Sequence, residues 1–570
     1  MENKINLSLY LVILISLIFF LFTRFDLITL QFTHYDDLYG PYVLDLVSSY
    51  EPKKFVSQLY KYKIVKDVNF QNELVIFFSS YPTIFGIIKK ILGPIAVASS
   101  STFAPIQFLL TAFVLNLDVS YEYSLFTSRV FSLFFSFMAF VVFVIFSLSF
   151  KDDLKKIFII FGGFLISSSW MFIVYSTQSA NYAATVFCAS VLFLILQKNK
   201  EPLSYRSFAW ISLVLFLLTF LHYQTLFLIP GFYLALYLQE TNKIKALTKY
   251  LIFSLPVIIS FFIMLKLVSS IKAGSEPGVH WNAGPNGEYF FSQSCGFFQF
   301  FCFIEFIFLN ITDVIKSLFV FFNVKSLWAN YYANIIIAFS LLGIYELYNS
   351  KKYRNFFYFI FISFFIWFLL IFFQKLTFSP TRHSLIYFYL LIVCFCFGIF
   401  FIYKIFFYKN RSMALLFSYT LFATLTASFI YSYNSIKEER SDFIDIYLIK
   451  KIIKEHQITQ IITYGYTTQL HYEPEIRKNF DVKFVNGELY SFNFIKKEQS
   501  AGGKILILCA NHNYCSNKKM EKKALIKQNI LPNSYRVVYI LNKNSQITNC
   551  FGNFAGSGFK SINLLVIRKL

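Results

Sequence analysis

Charge is scarce in this chain. Only 14% of its 570 residues are Asp, Glu, Lys or Arg, against about a quarter in a soluble domain. Acids are the scarcer sign, 30 against 52 basic residues. No basic stripe stands outside loops and tail, so the net charge of +22 is not read as nucleic-acid binding. No internal repeat is visible. No small-residue cleavage site follows the first apolar run, Ile5 to Phe22, which is therefore expected to stay as a signal anchor. What the chain has in excess is apolar surface: 57% hydrophobic residues, 77 of them Phe. That composition reads as a polytopic membrane protein.

Apolar runs near span length fall at 5–22, 126–148, 157–175, 182–197, 207–221, 224–238, 250–270, 328–347, 356–374, 384–403 and 412–434. About eleven transmembrane helices are expected. Short loops sort by charge. Lys151, Lys155 and Lys156 mark one, Lys198, Lys200 and Arg206 another, and Lys243, Lys245 and Lys249 a third. Lys351, Lys352 and Arg354, then Lys404, Lys409 and Arg411, mark two more, while 176–181 and 222–223 carry no basic residue. The positive-inside bias then puts the N-terminus inside and the C-terminal tail outside. Between two inner loops, residues 207–238 go out and come back. Each leg is about 24 Å, short of a core of about 30 Å. The turn at His222-Tyr223 is expected within the outer half of the membrane, where polar groups line a cavity.

The membrane domain is expected over 1–434 and carries two large outer loops, 23–125 and 272–327. Histidine is rare enough to be informative. Of seven, His34, His222, His280 and His383 all fall on the outer side of the membrane domain. Arg382 and His383 follow Pro380 at the outer start of the tenth helix, where backbone N–H groups favour an anion. Arg suits bidentate phosphate contact; an interfacial Arg snorkelling to headgroups is the alternative. Lys375 fits either role. Asp36 and Asp37 lie just beyond the first helix, as a general base beside a phosphorylated substrate or as a turn or cap pair.

The tail, 435–570, is polar. Ile458–Thr463, Val482–Val485, Lys504–Cys509, Arg536–Leu541 and Ile562–Ile567 read as strands, and Asp442–His456 and Asn517–Gln528 as helices. A small outward-facing α/β domain is expected. Ala555-Gly556-Ser557-Gly558 does not link a strand to a helix, so it is no nucleotide loop. Cys509, His512 and Cys515 lack a fourth metal ligand. Cys509, Cys515 and Cys550 allow one disulfide on the outer side.

In this order the residues resemble the GT-C superfamily of membrane glycosyltransferases, nearest the protein O-mannosyltransferase and aminoarabinose-transferase group. His34-Tyr35-Asp36-Asp37 resembles the Asp-Glu motif of the first outer loop. Tyr81-Pro82-Thr83-Ile84-Phe85 through Leu92-Gly93 is similar to the His-Pro-Pro-Leu segment. Ser128-Arg129-Val130-Phe131-Ser132 resembles the Arg-x-x-Ser start of the second helix. Leu221-His222-Tyr223 is similar to the Thr-His-Tyr motif, and Ser379–His383 to the motif taken to contact donor phosphate. The segment from Ser176 to Tyr182 lacks the arginine of its counterpart.

The resemblance implies an inverting glycosyltransferase that uses a polyprenyl-phosphate-linked sugar, with a lipid, glycan or protein of the envelope as acceptor. It implies Asp36 as base with Asp37 beside it. Arg382 and His383 would hold the phosphate, and His222, Tyr223, Tyr182, Lys375 and Arg129 would complete the substrate site. No cofactor is expected, and a divalent metal is possible but not indicated. A transporter or flippase for lipid-linked saccharides is the alternative, and a non-catalytic receptor on the same scaffold a third.

Overall fold

The computed structural model describes residues 2–28, 68–88, 121–177, 182–199, 203–240, 242–272, 299–320, 327–373, 378, 382–407 and 410–442. In the tail it describes 457–464, 483–486, 504–510, 535–543 and 562–569, with a few isolated residues elsewhere. The helices are α1 (Glu2–Ile28), α2 (Val68–Ser80), α3 (Tyr121–Leu148), α4 (Asp152–Ile157), α5 (Gly163–Ser168), α6 (Trp170–Ser176), α7 (Ala183–Lys198), α8 (Tyr205–Leu221) and α9 (Ile229–Tyr237). They continue as α10 (Lys243–Lys272), α11 (Gln299–Phe319), α12 (Leu327–Asn349), α13 (Arg354–Phe372), α14 (Phe388–Ile402) and α15 (Arg411–Asp442).

Each expected apolar run overlaps a helix among the described residues. Among the described residues, five stretches are long and apolar enough to cross a membrane: Arg129–Leu148, Lys243–Ile263, Trp328–Asn349, Arg354–Phe372 and Ser384–Ile405. A sixth is the broken run Asp153–Ser168 plus Trp170–Ser176, bent by 58°. Leu9–Phe25, Ala183–Lys198, Tyr205–Leu221 and Leu416–Ile430 are apolar but shorter. The third run thus differs from a straight helix. A π-helical turn, Phe158–Gly162, joins α4 to α5, and Ser169 leaves helical geometry at φ −67°, ψ 126°. The expected limit of the membrane domain, residue 434, lies inside α15.

Lipid gives helices no hydrophobic reason to associate, so close packing must do it. Aromatic rings do much of this. Phe146 lies 4.9 Å from Phe150, 5.6 Å from Phe158, 5.9 Å from Phe193 and 5.8 Å from Phe356, all edge-on. Glycines do the rest. A Cβ on Gly343 of α12 would stand 1.7 Å from the Cys394 carbonyl oxygen, and one on Gly398 of α14 would stand 1.9 Å from that of Phe339. These two backbones touch because neither glycine has a side chain.

Short connections make consecutive helices alternate in direction. The junctions α3–α4, α7–α8 and α9–α10 fall at one end, with Lys155, Lys156, Lys198, Arg206, Lys243 and Lys245. At this basic end Glu240 and Lys249 form a buried ion pair, and Lys249 also donates to the Leu203 carbonyl at 2.8 Å. The junctions α6–α7 and α8–α9 fall at the opposite end.

The tail holds a five-stranded sheet: β1 (Ile458–Tyr464), β2 (Lys483–Asn486), β3 (Lys504–Ala510), β4 (Tyr535–Lys543) and β5 (Ile562–Lys569). Each lies within two residues of its expected place. The order is β2-β1-β3-β5-β4. β2, β1 and β3 are parallel, and β5 pairs antiparallel with both β3 and β4.

Candidate functional site

Polar side chains gather at the end opposite the basic loops. α8 opens with a cap, the Ser207 N–H donating to Ser204 Oγ at 3.1 Å, and closes at His222, whose backbone is extended at φ −156°, ψ 124°. A 3-10 turn, Tyr223–Phe227, follows, and Pro230 lies in the first turn of α9. The helix pair thus reverses at His222-Tyr223. His222 is buried, and its Nδ1 accepts from the Gln224 N–H at 3.3 Å. Thr225 Oγ1 donates to the Leu218 carbonyl at 3.3 Å, tying the turn back to α8.

From this turn a string of rings crosses to the neighbouring helices. His222 stacks on Tyr223 with centroids 5.2 Å apart and meets Tyr182 at 5.5 Å. Tyr182 meets Tyr175 at 5.3 Å. Three of the expected site residues, Tyr182, His222 and Tyr223, are therefore brought together by α6, α7 and the α8–α9 turn.

Arg382 and His383 open a 3-10 turn, Arg382–Tyr387, that runs into α14. The α-helix proper begins four residues later than the apolar run 384–403, at Phe388. This turn packs against α6, α7 and α11, so its backbone lies at the same polar end. Tyr387, its last residue, is fully buried and stacks on Trp367 at 4.0 Å, with no hydrogen-bond partner for its hydroxyl among the described residues. Asp36, Asp37 and Lys375 lie outside the described residues, as do the side chains of Arg382 and His383.

Three buried cations stand at this end. Arg129 is 1% exposed, and its Nη1 donates to the Ile28 carbonyl at 2.9 Å, joining the start of α3 to the end of α1. Lys316 of α11, also 1% exposed, reaches Asp313 and Asn330 Oδ1, each at 2.8 Å.

The third cation, Arg24, is one that sequence reasoning passed over. It is fully buried near the end of α1. Nη1 donates to the Ser167 carbonyl at 2.8 Å, Nη2 to that of Ile166 at 3.2 Å, and Nε to Ser176 Oγ at 3.3 Å. Its guanidinium lies 3.8 Å over the Phe20 ring. The only available signal was an Arg two residues beyond an apolar run in a chain poor in charge. Ser176 opens the segment in which the resemblance expects an arginine and the sequence has none. The cation found beside it comes from α1.

Among the described residues, no three His, Cys, Asp or Glu side chains cluster as metal ligands. Compared with known proteins, the chain matches no family model, and no curated sequence matches it significantly.

Proposed function

We propose that this chain is an integral-membrane glycosyltransferase of the GT-C type, transferring a sugar from a polyprenyl-phosphate donor to an envelope acceptor. One observation carries the reading. Tyr182, His222, Tyr223 and the backbone of Arg382-His383 share one end of the bundle with three buried cations, Arg24, Arg129 and Lys316. An aromatic-lined, cation-rich end suits a sugar held against a lipid phosphate.

In this reading the runs make eleven spans, with the N-terminus inside and the polar end and tail outside the cytoplasmic membrane. The sheet belongs to an outward α/β domain. Arg382, His383 and Lys375 hold the donor phosphate. Arg129 fixes the start of the second span beside it. The acceptor hydroxyl oxygen attacks the anomeric carbon, its proton passes to the Asp36 carboxylate, and the bond from that carbon to the phosphate oxygen breaks. Polyprenyl phosphate leaves with the bonding pair, its charge met by the cations. Asp37 orients the acceptor or carries the second charge.

The bent run Asp153–Ser176 favours a second reading, a transporter or flippase for lipid-linked saccharides, since broken helices mark many transporters. Purified protein in detergent, given radiolabelled polyprenyl-phosphate sugar and envelope acceptors, separates the two, because detergent leaves no compartments. Transfer is expected, with Asp36→Asn reducing it by about 100-fold or more. Full transfer by Asp36→Asn sinks the assigned base. Translocation in proteoliposomes without any transfer sinks the enzyme.

A further inference from the structure

The break at Ser169 sits in a run that offers neither proline nor glycine at that point. A helix bent there loses the bonds that the carbonyls of Ile166 and Ser167 would make to the N–H groups four residues on. In lipid such carbonyls need other donors. Arg24 supplies them, from Nη2 at 3.2 Å and Nη1 at 2.8 Å. No carboxylate pairs with Arg24 among the described residues. Its charge faces the negative end of the α4–α5 run instead, where a cation is favoured. The same guanidinium reaches past the break to Ser176 Oγ at 3.3 Å, near the far end of α6, while Thr23 Oγ1 at 3.0 Å holds it from its own helix.

We propose that Arg24 is a positioning residue, a latch whose planar fork bridges both halves of a broken helix and selects its bent form over a straight one. The straight form is available to the same sequence. Without the latch, the Ile166 and Ser167 carbonyls regain partners only if the helix continues through Ser169. The bend decides where the polar end finds its edge. α6 has seven residues, so it is about 10 Å long, and removing a 58° bend moves its far end by about 10 Å. That motion carries Tyr175, together with Ser176 and Thr177, away from Tyr182 and so breaks the aromatic string at its α6 end. Arg24 thus sets the geometry of the site from a helix that gives the string none of its rings.

The inference stands whether or not the chain transfers sugar, and its test uses no substrate. Spin labels at exposed Lys151 and at Gln178, in the full chain with its native cysteines replaced, report the span of the run by pulsed electron resonance. Straightening lengthens it by about 4 Å, from the rise per residue and the 58° bend. Arg24→Gln is expected to show that longer distance. Arg24→Lys, which keeps the charge but replaces five forked donors by three on one nitrogen, is expected to show both distances. A folded Arg24→Gln protein with the wild-type distance overturns the latch. Where Arg24→Gln does not fold, Arg24→Lys decides: a single distribution matching wild type overturns the latch.

Discussion

Substituting alanine at Gly398 tests what holds the bundle together. The new Cβ would meet the Phe339 oxygen at 1.9 Å, where ordinary contact begins at 3.4 Å. α12 and α14 must therefore part by about 1.5 Å. A gap of about 1 Å already forfeits up to half of each dispersion contact along a seam, and Phe339 and Phe395 pack across this one at 5.5 Å. Overpacked cores lose about 1–3 kcal/mol. A displacement this large in a seam without solvent-driven burial belongs at the upper end, about 3 kcal/mol. Gly343→Ala asks for a similar parting, from 1.7 Å to 3.4 Å, in the same seam. One separation admits both methyl groups. The double variant is expected to lose less than the sum of the two, with a coupling of about 2 kcal/mol. Reversible unfolding by sodium dodecyl sulfate in mixed micelles measures all three. Gly86→Ala is the control, since a Cβ there meets nothing within 4 Å, and in its helical setting it should raise stability by about 0.5–1 kcal/mol. A Gly398→Ala protein as stable as that control, or strictly additive losses, would refute the close-contact argument.

Two other substitutions probe buried polar groups by the same titration. Glu240→Gln leaves the Lys249 ammonium buried and unpaired, for a loss of about 3 kcal/mol; the double change to Glu240→Leu and Lys249→Met should lose less, and equal losses would exclude a desolvated pair. Tyr387→Phe removes a hydroxyl that has no partner among the described residues, so stability should rise by about 1 kcal/mol; a fall would mean that the hydroxyl holds a water or a ligand.

The sequence made the helices legible because a bilayer forces whole apolar runs into helix. The strands were legible because β-branched and aliphatic runs such as Ile505–Leu508 are bounded by polar turns. The α8–α9 turn at His222 followed from arithmetic on two basic loops, whereas the ring string from Tyr175 through Tyr182 to His222 is a tertiary contact that no spacing in the sequence displays. The break at Ser169 did not, because Ser167-Ser168-Ser169 reads as a polar interruption with no helix breaker in it. Its cause is a guanidinium more than 140 residues away in sequence. Arg24 was passed over because its role is tertiary: an Arg beside an apolar run looks like a membrane anchor until the carbonyls it serves are seen. The glycine seam was hidden likewise, since Gly343 and Gly398 are each lone glycines in their helices.

The short pair α8 and α9 has a consequence for the lipid around it. α8 is about 26 Å long and α9 about 14 Å, against a hydrocarbon core of about 30 Å. In the proposed eleven-span arrangement the leaflet beside them dimples toward the protein, which keeps the His222 turn out of oil. A headgroup descending into that dimple sheds less hydrocarbon contact on its way to the buried rings. In that arrangement the membrane itself forms a shallow funnel above Tyr182 and Tyr223.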